Sequence, residues 1–256
     1  MIRSKWDQRI RRADELAAEH PFAAEVLRFY SHVARFQKDL YAGMAGVGAD
    51  LSLLLPRFPD FLSHIAAAAP EPMAQCARDL KKREPADWLD ALNRFWRDAP
   101  QFQPEPGRAA ELLACIFLQP YAEYLTDRSE PAPPRETFGT CPFCRSRPIA
   151  GVLRQEGDGG KRSLICSLCA TEWDIGRMVC AACGEQDVEK LAVYTAEQFP
   201  HVRVEACDTC HYYIKTVDLT KNGHAVPVVD ELATIPLNLW AQEHAYVKVR
   251  ANLLGI

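Results

Sequence analysis

Eight of the ten cysteines fall into four C-x-x-C pairs: Cys141/Cys144, Cys166/Cys169, Cys180/Cys183 and Cys207/Cys210. A C-x-x-C turn sets two thiolates on one tight knuckle. Two knuckles at the ends of a hairpin close a tetrahedral site of four sulfurs. The segment also repeats itself. "CPFC…LICSLCATEW" is echoed by "CAACGE…VEACDTCHYY", with 39 residues from Cys141 to Cys180 and 41 from Cys166 to Cys207. Each unit reads as a knuckle, a hairpin, a second knuckle and then an aromatic, Trp173 in the first and Tyr212 or Tyr213 in the second. A duplicated unit should carry its own complete site. The spacing therefore predicts one site from Cys141, Cys144, Cys166 and Cys169, and another from Cys180, Cys183, Cys207 and Cys210. A crossed pairing of knuckles also satisfies the spacing. The remaining two cysteines, Cys76 and Cys115, stand alone in helical-looking sequence and read as small buried apolar residues.

Soft thiolates select zinc or a single rubredoxin-type iron, and the spacing is compatible with a [2Fe–2S] cluster as well. A β-unit of about 40 residues has little core, so the metal would supply its folding free energy. Other uses of the cysteines fit less well. Disulfides need an oxidising compartment, and "MIRSKWDQRIRRADELAAEH" has positive charge with no apolar stretch behind it, unlike a secretory signal. No apolar run approaches the ~20 residues of a membrane span. The expected location is the cytoplasm, with no membrane insertion. Cys207, Cys210 and His211 also spell C-x-x-C-H, the attachment pattern of c-type haem. Haem there would strand Cys180 and Cys183, so no haem is expected and His211 reads as a surface residue of the ribbon.

The rest of the chain has a different grammar. Residues 1–127 read as an all-helical domain. After Pro21, the residues Phe22, Val26, Phe29, Val33, Phe36, Leu40, Met44 and Val47 recur at helical spacing. Shorter helical patterns follow at 59–69, 71–83 and 85–100. A last helix covers about 107–127, where Pro120 should kink or split it. The aromatic stripes on these helices are the expected core. "DRSEPAPPRETFGT" marks a Pro-rich linker over 128–140. The first module spans 141–178 and the second 179–218, with short β-type runs such as "IAGVLR", "VRVEAC" and "YYIKTVDL". Residues 219–256 return to helix. The fold class is α+β: a helical N-terminal domain, two tandem four-cysteine modules of zinc-ribbon or rubredoxin type, and a C-terminal helical segment.

No catalytic constellation emerges. "GDGGK" at 157–161 lacks phosphate-loop spacing and a following helix. The seven histidines are scattered, and a closed four-sulfur site has no open position for substrate. The net charge is −4, with 12 Lys/Arg against 14 Asp/Glu in residues 141–256, so the ribbons lack the basic stripe of a nucleic-acid binder. Protein recognition is the favoured role.

The motifs "TCPFCRSRPIAGVL", "CAACGE" and "VRVEACDTCHYYIKTVDL", with the tail "LATIPLNLWAQEHAYVKVRANLLGI", resemble the formate dehydrogenase accessory family FdhE over about residues 137–256. Over 1–136 the resemblance lies in helical character and domain order alone. His211 departs from the basic or polar residue usual after the last cysteine, a position outside the ligand set. The resemblance implies a cytoplasmic maturation factor that binds the catalytic subunit of formate dehydrogenase without being an enzyme, and it is compatible with a homodimer. It makes the eight paired cysteines metal ligands, two ions per chain, and raises iron over the zinc favoured by bare chemistry. The other readings are a rubredoxin-like redox carrier acting in cofactor insertion and a nucleic-acid-binding zinc ribbon.

Overall fold

The computed structural model describes residues 4–45, 50–99, 107–129, 139–157 and 159–252. Val47, Leu253, Leu254, Asp158 of the hairpin tip and residues 130–138 of the Pro-rich stretch lie outside them.

Six helices build the N-terminal part. Helix α1 (Lys5–Glu19) starts at Ser4, whose Oγ accepts the Asp7 N–H at 3.2 Å. Helix α2 (Ala24–Gly43) packs along it. Helices α3 (Phe58–Ala66), α4 (Glu71–Lys81) and α5 (Pro85–Asp98) each carry proline in the first turn, where its missing N–H costs nothing. Helix α6 (Ala109–Thr126) is buried on nearly every side and forms the axis of the core.

Two details bear on the expectation drawn from the sequence. Phe22 is 55% exposed and lies before α2, so the buried face of α2 begins with Ala24 and Leu27. Pro120 neither splits nor ends α6. A proline there leaves the carbonyl of Ile116 without its helical donor. The buried side chain of Gln37 on α2 supplies one, Nε2 to Ile116 O at 2.7 Å.

The cysteine-bearing part folds into one seven-stranded sheet. Its strands are β1 (Pro148–Glu156), β2 (Gly159–Cys166), β3 (Glu172–Asp174), β4 (Leu191–Thr195), β5 (Val202–Cys207), β6 (Tyr212–Asp218) and β7 (Val247–Lys248). The order across the sheet is β3-β2-β1-β6-β5-β4, with β7 also beside β6. Each repeat contributes an antiparallel three-stranded half. The halves join through β1 and β6, which run parallel with Gly151 opposite Thr216. A Cβ on Gly151 would stand 2.2 Å from Thr216 Oγ1, so glycine is what lets the two strands meet. In β5, Val202, Val204 and Ala206 are buried while Arg203 and Glu205 are half-buried, the alternation of a strand with one face on a core.

Strand register revises the equivalence of the aromatics. Trp173 pairs with Leu164, two residues before Cys166, and Ile214 pairs with Glu205, two residues before Cys207. Ile214 thus occupies the place of Trp173; Tyr212 packs beside both in the core shared by the halves. The C-terminal segment holds helices α7 (Pro227–Ala233) and α8 (Ile235–Glu243), and returns to the sheet as β7, which the helical pattern did not foretell. Helix α7 wedges between α1, α2 and the sheet, with Val229, Leu232 and Ala233 against Leu16 and Leu27.

Candidate metal centres

The knuckles that come together are neighbours in sequence. Cys141, Cys144, Cys166 and Cys169 form one group, and Cys180, Cys183, Cys207 and Cys210 the other, with all four sulfurs of a group within 4.8 Å of one another. In the first group Cys141 and Cys169 are 3.5 Å apart and Cys144 and Cys166 3.3 Å. In the second, Cys180 and Cys210 are 3.7 Å apart and Cys183 and Cys207 3.8 Å. A tetrahedron with metal–sulfur bonds of about 2.3 Å has edges of about 3.8 Å. Both groups fit one metal ion each, the second at its full size and the first slightly contracted.

Backbone geometry makes the knuckles. The residue after the second cysteine of every pair has positive φ: Arg145 +63°, Ala170 +53°, Gly184 +79° and His211 +57°. The left-handed turn points backbone donors inward. Leu168 N–H reaches Cys166 Sγ at 3.4 Å and Ala182 N–H reaches Cys180 Sγ at 3.3 Å. The N–H groups of Arg145, Gly184 and His211 close each turn onto the carbonyl of the first cysteine, at 2.9, 3.1 and 2.8 Å. His211 is therefore an exposed backbone hinge of its knuckle. Three of these four residues are not glycine, so only Gly184 advertised the turn in the sequence.

The thiols cannot all ionise unaided. In the first group Cys144 is held far below the ordinary thiol range, chiefly by a hydrogen bond from Cys141. Burial pushes Cys166 well up, and hydrogen bonding to Cys141 pushes Cys169 up. In the second, burial raises Cys180 and Cys210. At Cys207 burial acts upward too, but N–H donors from Cys210 and Thr209 overcome it and lower the thiol. A divalent or trivalent cation is what lets four clustered sulfurs carry charge together.

The two sites differ in surroundings. Cys141, Cys166 and Cys169 belong to the same core as α6, whereas Cys183 is exposed and Cys210 half-buried. A side-chain relay ties the first site to the helices. Gln37 Nε2 donates to Gln119 Oε1 at 3.0 Å, and Gln119 Nε2 donates to the carbonyl of Ser167, inside the knuckle, at 2.8 Å. Buried Arg250 shares a cavity of about 50 Å³ with Cys115 and Cys166. It brings a guanidinium from the C-terminal segment to the cavity that borders the first site, a placement that no spacing rule could reveal. Cys115 itself is buried, its thiol pushed up to about 11 by burial, and Cys76 is half-buried. Neither joins a four-sulfur group.

Comparison with known proteins agrees with this architecture. The family model described as FdhE, central domain, matches residues 140–177, and that of the FdhE C-terminal domain matches 178–254. A protein FdhE homolog of Aquifex aeolicus is 24% identical over 96% of this chain and 94% of its own length. The homolog of Pseudomonas aeruginosa is 29% identical over 86% of this chain and 74% of its own length. That of Stutzerimonas stutzeri is 36% identical over 77% of this chain and 61% of its own length. The crystal structure of the FdhE protein from Pseudomonas aeruginosa shares the fold, with a TM-score of 0.72 at 24% identity over 99% of this chain and 97% of that one. Residues 140–254 thus carry the FdhE central and C-terminal domains, meeting end to end across the two cysteine groups.

Proposed function

We propose that the chain is a non-catalytic accessory factor for formate dehydrogenase, which binds the catalytic subunit in the cytoplasm during assembly. Its eight paired cysteines hold two metal ions, and the metals fix the shape of the recognition surface. The observation that carries this reading is the pair of closed four-sulfur groups in a chain that carries the FdhE central and C-terminal domains. Four protein ligands leave no open position for a substrate. Among the described residues no helix is long and apolar enough to cross a membrane, which suits a factor that meets its partner before export. A tagged chain should recover the catalytic subunit from cells making the dehydrogenase. Full dehydrogenase activity in a deletion strain would defeat the reading.

One observation favours a second role. Cys183 lies at the surface, so an iron ion in the second site would sit within reach of a partner for single-electron transfer. Protein purified anaerobically would then be coloured when oxidised and bleach with dithionite. Colourless protein holding two zinc ions would end that role.

A further inference from the structure

The two repeats end differently at one edge, and the difference exposes a strand. Ala150 pairs with Ile165 and Ala192 with Ala206, each partner being the residue before a knuckle cysteine. Gly151, Val152 and Leu153 of β1 therefore correspond to Val193, Tyr194 and Thr195 of β4. In the first repeat that edge is closed by β6, parallel, with Leu153 O accepting the Leu219 N–H at 3.0 Å. In the second repeat no described residue pairs with it.

The direction of its free groups follows from the ladder. Asp208 N–H donates to Lys190 O at 2.9 Å, so the residues bonded to β5 are Ala192 and Tyr194. Val193 and Thr195 point their N–H and C=O outward. Exposed edges in soluble proteins are normally blunted by charge, proline or shortness. The opposite edge obeys this, since β3 has three residues and carries Glu172 and Asp174. The β4 sequence LAVYT carries no charge, and Val193 and Tyr194 are 49% and 36% exposed.

The two faces beside this edge have different chemistry. On one, Val193 shares a face with Glu205, and a groove of about 140 Å³ runs past Arg162, Arg177 and Arg203 to Cys180 and Cys207. Glu205 is already held by Arg162 and Arg203, each through two bonds of 2.6 and 2.9 Å. Arg177 is exposed, beside Met178, and makes no ion pair with any described residue. On the other face, Tyr194 packs against Trp240 of α8, with ring centroids 4.4 Å apart and planes tilted by 54°.

We infer that the β4 edge is a docking strand for an extended segment of the partner polypeptide. The segment adds parallel to β4, as β6 does to β1, bonding the outward groups of Val193 and Thr195. Alternate side chains fall on opposite faces. It therefore carries a carboxylate toward Arg177 and an apolar side chain toward Tyr194 and Trp240. This rests on the reading of the chain as a binder of the catalytic subunit, and it names the surface.

Val193→Pro tests it, because proline deletes an outward N–H and leaves the internal ladder intact. The purified catalytic subunit is titrated onto the unaltered chain, Val193→Pro and Arg177→Glu, with metal content and circular dichroism checked for each. Val193→Pro should bind about tenfold more weakly or worse, and Arg177→Glu several-fold more weakly. If Val193→Pro loses metal, Arg177→Glu decides. Equal binding by the folded variants and the unaltered chain overturns the docking strand alone, whereas no binding by the unaltered chain overturns the functional reading with it. A dimer of the unaltered chain that Val193→Pro turns into monomer would make the occupant a second copy and also overturn the proposal.

Discussion

Arg12 on the first helix grips Asp230 on α7, 218 residues along the chain, through bonds of 3.0 and 2.6 Å. Asp230 also accepts from the backbone N–H of Val226 at 2.7 Å and stands 2.9 Å from His201 Nε2. One buried carboxylate thus binds the helical part, the C-terminal helices and the loop leading into β5.

Burial alone raises the Asp230 carboxyl, but hydrogen bonds from His201 and Arg12 outweigh it and hold the group below the usual carboxylate range. The stability this confers is present in full above the unfolded value of about 4 and is lost as pH falls through the depressed native value. Asp230→Asn should lower stability at neutral pH by about 3 kcal/mol, since it takes from buried Arg12 its close counter-charge and leaves only Glu15 at 3.7 Å. It should also flatten the acid limb of the stability curve. Urea unfolding at pH 7, 4.5 and 3 measures both, and an unchanged pH dependence would remove Asp230 from the account.

Chelation should be stepwise. The second site has an exposed cysteine and a half-buried one, while the first is walled by the core around α6. An excess of strong chelator should extract about one metal per chain quickly and the other only as the chain unfolds. Metal release followed by time-resolved elemental analysis, with helicity followed in parallel, would show whether both leave at one rate.

Removing the second site by Cys180→Ala with Cys183→Ala should halve the metal content and melt the second repeat. The helical part should keep its protection in hydrogen exchange, because the first site and α6 share a separate core. Cys141→Ala with Cys144→Ala should instead loosen the helices as well. Identical exchange patterns in the two variants would contradict the unequal burial of the sites.

The seam between the repeats can be forced. Gly151→Val places on β1 the residue that β4 carries at the equivalent position, directly against Thr216. Overpacking of this kind costs about 1–3 kcal/mol. Thermal unfolding should drop accordingly, whereas Val193→Gly on the open edge should cost no more than a glycine in a strand. A silent Gly151→Val would mean that the repeats meet less tightly than the register shows.

The sequence alone determined the cysteine chemistry. Thiolates three residues apart on a tight turn can reach one ion whatever surrounds them, and a duplicated spacing repeats that geometry, so the two groups of four were legible. Helical periodicity made the burial of Phe29, Val33 and Phe36 legible for the same local reason. What only the tertiary structure decided were relations between segments far apart in the chain. Gln37 repairing the break at Pro120, Arg12 meeting Asp230, Arg250 beside the first site and β1 lying parallel to β6 all depend on docking. Such contacts leave no spacing in the sequence, because their partners are fixed by the packing of whole elements and not by the turns within one. The open edge of β4 belongs with them: its five residues read as an ordinary strand until the neighbour that closes its twin is seen to be missing from its side.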